Sequence, residues 1–250
     1  MDLTGKNILI TGASSGIGRA IAVRCVANGA FVRLVGRNES ELDFLTSELG
    51  HEKASYHIVD MRKPDSFPDA IDAIINRYGK LNGFVHSAGY QITSPLQRMS
   101  VDQYMDIFLV NTFSAFELCR IISLKKNYLI GDLSIVLISS VYSVVANPGM
   151  TAYCSTKAAL VGGARAIAVE LAPKRIRVNC ISPGTIEDTA MTMGLRNQLA
   201  ESEFDRIRKG FPLGLGNTKD IATMTAFLLS DDGKWITGQN IVVDGGYSAT

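Results

Sequence analysis

"NILITGASSGIG", residues 7–18, decides how the rest of the chain is read. A strand-length apolar run leads into three glycines, and an amphipathic stretch over 17–28 follows at helical spacing. Gly12, Gly16 and Gly18 permit a tight turn, close approach of bare backbone to a phosphate, and close packing of helix on strand. Ser14, Ser15 and Ile17 complete the turn. The helix N-terminus then offers unpaired N–H groups and a positive dipole end to a pyrophosphate. The spacing is G-x-x-x-G-x-G, not the commoner G-x-G-x-x-G, so the strand–turn–helix context carries the reading of a dinucleotide-binding turn.

Outward from this turn the same rhythm continues. "FVRLVG" (31–36), "YHIVD" (56–60), "GFVHSAG" (83–89), "SIVLISS" (134–140), "IRVNCIS" (176–182) and "NIVVDGG" (240–246) read as further strands. Most are continuously apolar, as parallel strands covered on both faces are. Helical patterns lie between them over 39–49, 64–78, 101–128, 152–172 and 219–230. This alternation predicts an α/β fold with a doubly wound parallel sheet, whose ligands bind at the carboxyl ends of the strands. With no repeat, low-complexity stretch or linker, residues 1–250 read as one domain. The least regular stretch, 185–217, is expected to cover the site.

Composition narrows the function classes. Of 250 residues, 46% are hydrophobic and 20% charged, and the formal net charge is +1, which argues against a nucleic-acid partner. Cys25, Cys119, Cys154 and Cys180 show no ligand spacing and sit in apolar or small-residue settings. They read as buried free thiols, with no metal site expected. The start lacks an apolar core behind a basic head, and no apolar run approaches the ~20 residues that span a bilayer. The expectation is a cytoplasmic protein without a membrane partner.

At the cofactor end, the second strand closes with "LVGRN" (34–38). An acid there would bind a ribose 2′-hydroxyl; Gly36 takes its place and Arg37 follows, a guanidinium suited to a 2′-phosphate. NADP(H) is therefore expected in preference to NAD(H). Asp60 closes the third strand, placed either to accept from an adenine amino group or to cap the turn before "KPDS".

"TGASSGIG", "HSAG", the serine of "ISSVYS", "YCSTK", "SPG" and the terminal "WITGQNIVVDGG" occur in order over essentially the whole chain, which thereby resembles the short-chain dehydrogenase/reductase family. The resemblance implies a Rossmann-type sheet of about seven strands, an NAD(P) cofactor and a homo-oligomer, commonly a tetramer. It implies a catalytic set of Asn111, Ser140, Tyr153 and Lys157, with Asn111 holding a water that links Lys157 to bulk solvent. Cofactor contacts fall on the glycine turn, Asp60, Met61, Ala88, Gly89, Tyr153, Lys157, Pro183, Gly184, Ile186 and Thr189. Within the family the chain looks closest to bacterial reductases of carrier-bound 3-oxoacyl groups, and Lys174 stands where a basic carrier contact falls. A sugar or polyol dehydrogenase is the alternative substrate class, and a catalytically idle NADP(H)-binding protein the alternative outside catalysis.

The residue types suit that set. Tyr153 and Lys157 are an i,i+4 pair, so one helix face carries both. A free tyrosine titrates near pH ~10, and bringing it to neutrality requires ~4 kcal/mol of phenolate stabilisation, from the ammonium, an oxidised nicotinamide and the helix dipole. Ser140, at a strand end, is placed to bond a carbonyl oxygen as charge develops on it. Taken singly, such a serine is usually a cap, such an asparagine a local hydrogen-bonder and such a pair a surface feature; their conjunction carries the catalytic reading.

Two positions depart from the family pattern. His86-Ser87 replaces a pair of asparagines, and His86 is expected to take over a bond between neighbouring strands, the alternative being a group that titrates near neutrality. Asp188 stands where a threonine is common, leaving either Thr189 to make the contact or a rearranged loop. Tyr142, Met150, Met191, Met193 and Phe211 suggest an apolar lining for the substrate pocket.

Overall fold

The computed structural model describes residues 1–249. Its strands are β1 (Asn7–Thr11), β2 (Phe31–Gly36), β3 (Ala54–Ile58), β4 (Gly83–His86), β5 (Leu133–Ile138), β6 (Ile176–Pro183) and β7 (Asn240–Val243). All neighbours pair in parallel, in the order β3-β2-β1-β4-β5-β6-β7. Strand order reverses between β1 and β4, the switch point at which ligands of such sheets bind.

The helices are α1 (Gly16–Ala27), α2 (Glu39–Leu49), α3 (Phe67–Tyr78), α4 (Val101–Phe108), α5 (Ser114–Ile122), α6 (Thr151–Leu171), α7 (Ala190–Gln198), α8 (Glu201–Lys209) and α9 (Thr218–Leu229). Strand pleating sends alternate residues to opposite faces and so divides the core. Leu9, Phe84, Ile135 and Leu137 pack with Ile71 of α3, Ile122 of α5 and Leu160 of α6. Ile8, Ile10, Val85 and Val136 pack with Ile21 of α1, Leu42 of α2 and Ile221 of α9.

Three expectations need correction. The helical pattern over 101–128 is not one helix: a π-helical stretch, Leu109–Phe113, separates α4 from α5, and α5 stops at Ile122. The extra residue in the π turn lets Asn111 reach sideways to Tyr90 and Thr156 instead of continuing a regular ladder. Beyond α5 the chain turns, and Asn127 Nδ2 donates to the Ile121 carbonyl. The segment 185–217 is more regular than expected, since α7 and α8 lie within it. Asp60 and Ser140 each lie two residues beyond their strand ends.

Candidate active site

The glycine turn brings three backbone segments together. A Cβ at Gly18 would stand 2.2 Å from the Gly12 oxygen, and one at Gly12 would stand 2.7 Å from the Ala88 nitrogen. Only bare backbone fits, so β1, the start of α1 and the loop after β4 meet at van der Waals distance. A cavity of about 490 Å³ opens over this floor at the carboxyl edge of the sheet. Its wall includes Gly12, Ser14, Ser15, Gly16, Ile17 and Gly18 from the turn, Arg37 after β2, and Asp60 and Met61 after β3. Ala88 and Gly89 after β4, and Pro183, Gly184, Ile186 and Thr189 at and after β6, complete it, beside Ser140, Tyr153 and Lys157. The floor's free backbone and the helix N-terminus match what a dinucleotide pyrophosphate requires.

Asn111 is not in the cavity wall. It is fully buried behind Gly89, with its amide engaged: Oδ1 accepts from Tyr90 N–H at 3.0 Å, and Nδ2 donates to the Tyr90 carbonyl at 2.9 Å and to Thr156 Oγ1 at 3.2 Å. Its side chain thus holds the loop after β4 against α6.

Lys157 is buried, and its Nζ donates to the Ile138 carbonyl at 2.9 Å. Ser139 Oγ donates to the Lys157 carbonyl at 2.9 Å, so side chain and backbone both fasten α6 to the end of β5. Burial pulls the Lys157 ammonium down from 10.5 to about 8. Tyr153 is also buried, and burial pushes its phenol up to about 12, with the Ser140 side chain acting in the lowering direction. The protein alone therefore does not supply the lowering expected with an oxidised nicotinamide in place. The lysine is aimed at a carbonyl, 5.7 Å from the tyrosine ring centre, and does not offset desolvation there. Ser140 Oγ itself accepts from Tyr142 N–H at 3.2 Å, which fixes the turn that presents it.

His86 bridges strands as expected: Nδ1 lies 3.0 Å from Thr11 Oγ1, across the register pair of β1 and β4. It is fully buried, and among the described residues Nε2 has no hydrogen-bond partner. Burial first, and the nearby Lys157 second, depress it to about 3, so it is neutral at physiological pH and not a titrating group of the site. Asp188 accepts from Thr218 N–H at 2.8 Å and from Thr218 Oγ1 at 2.7 Å, which ties its carboxylate to the start of α9. Thr189, at the cavity wall, caps α7 by accepting from Thr192 N–H at 3.3 Å. The carboxylate that would repel a phosphate is thereby occupied elsewhere.

Asp60 Oδ1 accepts from Arg62 N–H at 3.0 Å, a turn cap in the cavity wall. Of the apolar side chains expected around a substrate, Tyr142 and Met191 line the cavity, whereas Met150 and Phe211 are buried outside its wall and Met193 is exposed. Phe211 instead stacks on Tyr247 with ring centres 4.6 Å apart. Cys154 is only partly buried, unlike the other three cysteines. Arg62, Tyr90 and Leu195 also line the cavity, and no local pattern in the sequence marks them.

Comparison with known proteins agrees with this architecture. A family model described as "Enoyl-(Acyl carrier protein) reductase" matches residues 12–248. The chain is 35% identical over 248 residues to the 3-oxoacyl-acyl-carrier-protein reductase FabG of Chlamydia muridarum, with 98% of each chain covered. Its identity to the Thermotoga maritima reductase of the same name is 34% over 251 residues, covering 98% of this chain and 99% of the relative. The chain belongs to the short-chain dehydrogenase/reductase family. It is an oxidoreductase of that family, and members use a nicotinamide dinucleotide. A dehydrogenase/reductase from Sinorhizobium meliloti superposes with a TM-score of 0.90 at 31% identity, covering 98% of this chain and 96% of that one. A blue fluorescent protein from a metagenomic library, solved in complex with NADPH, superposes equally well, with a TM-score of 0.90 at 29% identity, covering 99% and 100%.

The depressed His86 has a consequence for stability. Below its unfolded pKa of about 6.5 the unfolded chain takes up a proton that the native state refuses, so stability falls as pH drops toward 3. Denaturant titrations of wild type and His86→Asn at pH 7 and pH 5 are expected to show the wild type losing about 2 kcal/mol more over that interval. Equal losses would mean that His86 is not buried neutral.

Proposed function

We propose that the protein is an NADP(H)-dependent oxidoreductase interconverting a carbonyl and a secondary alcohol, with a 3-oxoacyl group on an acyl carrier as substrate. The observation that carries this reading is the convergence of Ser140, Tyr153 and Lys157 on one cavity whose floor is the glycine turn. A bound nicotinamide supplies or accepts the hydride. In the reductive direction the Ser140 hydroxyl donates to the carbonyl oxygen and Tyr153 delivers the proton, leaving a phenolate that is reprotonated through the Lys157 side. With its ammonium near 8, Lys157 is poised to pass a proton at physiological pH. Asn111 supports that route by holding the Gly89–Tyr90 loop in place.

Preference for NADP(H) rests on Arg37, exposed at the cavity wall directly after Gly36, where no side-chain carboxylate ends β2. The NADPH complex of a relative with the same fold supports it. The carrier-bound substrate rests on the FabG relatives. Lys174 lies 21 positions beyond Tyr153, at the far end of α6, about 30 Å along the helix axis, so it is a remote grip for any carrier whose acyl group reaches Tyr153 of the same chain. A sugar or polyol substrate is the second reading, favoured by a glucose/ribitol dehydrogenase neighbour from Brucella melitensis with a TM-score of 0.90 at 32% identity, covering 99% of each chain.

A homo-oligomer, a tetramer by family resemblance, completes the proposal. Trp235 is 97% exposed and Val169 77%, large apolar side chains of the kind that a second copy would cover. No helix among the described residues is long and apolar enough to cross a membrane, and the cytoplasm is the proposed compartment.

A panel of 3-oxoacyl carriers, simple ketones and polyols, assayed with NADPH and NADH side by side, tests the reading. Turnover of the 3-oxoacyl substrate with NADPH is expected, and Tyr153→Phe should lower kcat by at least about 100-fold with NADPH affinity retained. Arg37→Ala should weaken NADPH about 10-fold or more and leave NADH unchanged. A wild-type preference for NADH, or full activity in Tyr153→Phe, overturns the assignment.

A further inference from the structure

One cluster of side chains, reaching the cavity wall through Arg62 and Tyr90, has no part in the proton transfer above. Arg62, on the loop after β3 and two residues past Asp60, lines the cavity. Its Nε and Nη2 donate in parallel to Oδ1 and Oδ2 of Asp106, on the last turn of α4, at 2.8 and 3.0 Å. The Tyr90 hydroxyl also donates to Asp106 Oδ2. The Tyr90 ring lies against the guanidinium, with Arg62 Cζ 5.4 Å from the ring centre. Tyr90 is itself fixed at its backbone by both atoms of the Asn111 amide. The guanidinium is therefore held in one plane by a carboxylate and covered on one side by a ring that is clamped at both ends.

This arrangement suits one kind of ligand better than another. An arginine that binds phosphate uses its charge and its fork of donors. Arg62 has given the Nε–Nη2 edge of its fork to Asp106, so its charge already faces a carboxylate. Its flat, weakly hydrated face is the part suited to stacking on an aromatic ring. Arg37 differs: it is exposed at the cavity wall and acts on Asp106 only as a distant charge, the smallest of the influences on that carboxylate. The two arginines are thus prepared for different parts of one ligand.

We propose that Arg62, held flat by Asp106 and Tyr90, is a binding residue for the purine ring of the cofactor, and that Arg37 alone answers to the 2′-phosphate. The proposal rests on the dinucleotide reading given above. Asp106 and Tyr90 act through Arg62 and are positioning residues. The same clamp joins the loop after β3 to the loop after β4, so the adenosine end of the cavity and the Asn111 end share one support.

Calorimetric titration of the full chain with three fragments tests this without any turnover: 5′-ADP, 2′,5′-ADP and nicotinamide mononucleotide. Arg62→Lys keeps the charge and loses the planar fork. It is expected to weaken 5′-ADP and 2′,5′-ADP by the same factor, about 10-fold, with the ratio between them and the affinity for the mononucleotide unchanged. Asp106→Asn and Tyr90→Phe should show the same pattern at smaller amplitude, with thermal melts confirming that each variant is folded. Arg37→Ala should weaken 2′,5′-ADP alone. The proposal is overturned if Arg62→Lys selectively weakens 2′,5′-ADP, which would make Arg62 a phosphate ligand. It is also overturned if all three fragments weaken together, which would mean general loosening, or if none changes. A wild type that binds neither adenosine fragment fails a different claim, the dinucleotide reading itself.

Discussion

A lysine ammonium is held at the end of β5 where burial works against its charge, and the site is organised around that contact. Lys157 reaches the Ile138 carbonyl, and its own carbonyl accepts from Ser139, so the middle of α6 is pinned to the last residues of the strand. That fastening brings Tyr153, one turn earlier on α6, beside Ser140, just past β5. Holding the ammonium there costs on the order of 3 kcal/mol, judged from its fall from 10.5 to about 8. Sites that bear such a cost are where function overrides stability. Tyr153 bears one of the same kind, since burial raises it to about 12 and outweighs the lowering by the Ser140 side chain. The acidity that proton transfer needs must therefore come from the loaded site.

The second constraint is steric. Gly12 and Gly18 let backbone meet backbone at distances no Cβ tolerates, which sets α1 and the loop after β4 against the end of β1. The π turn at Leu109–Phe113 plays the complementary part on the other side of the sheet. It swings Asn111 out of the helical ladder so that one amide holds both Tyr90 and Thr156, joining the loop after β4 to α6. His86 closes the same corner from within the sheet, neutral and bonded to Thr11.

Much of this was legible in the sequence, for identifiable reasons. Parallel strands covered on both faces read as near-continuous apolar runs, and most of the seven were visible as such. Glycines at a strand-to-helix turn and an i,i+4 Tyr–Lys pair are local patterns, and they point to residues the fold does bring together. The single helix expected over 101–128 failed because a π bulge leaves apolar periodicity nearly intact and is dictated by distant partners, Tyr90 and Thr156. Asp188 was ambiguous because its resolution, a cap on α9, lies 30 residues away. Arg62, Asp106 and Tyr90 were missed for the same reason: 44 and 16 positions separate the partners, and no spacing rule spans such gaps. In the protein alone the Tyr153 phenol is raised, because burial, a property of the whole fold, outweighs what sequence spacing alone suggests.

The account stands most directly on the ionisation of one side chain. A heteronuclear NMR titration of the Lys157 side chain, assigned as the signal missing from Lys157→Met, measures it. The prediction is a midpoint near the value of about 8 that burial imposes. A midpoint at the ordinary 10.5 would mean an ammonium in contact with water, and would contradict the buried Lys157–Ile138 contact on which the site is built.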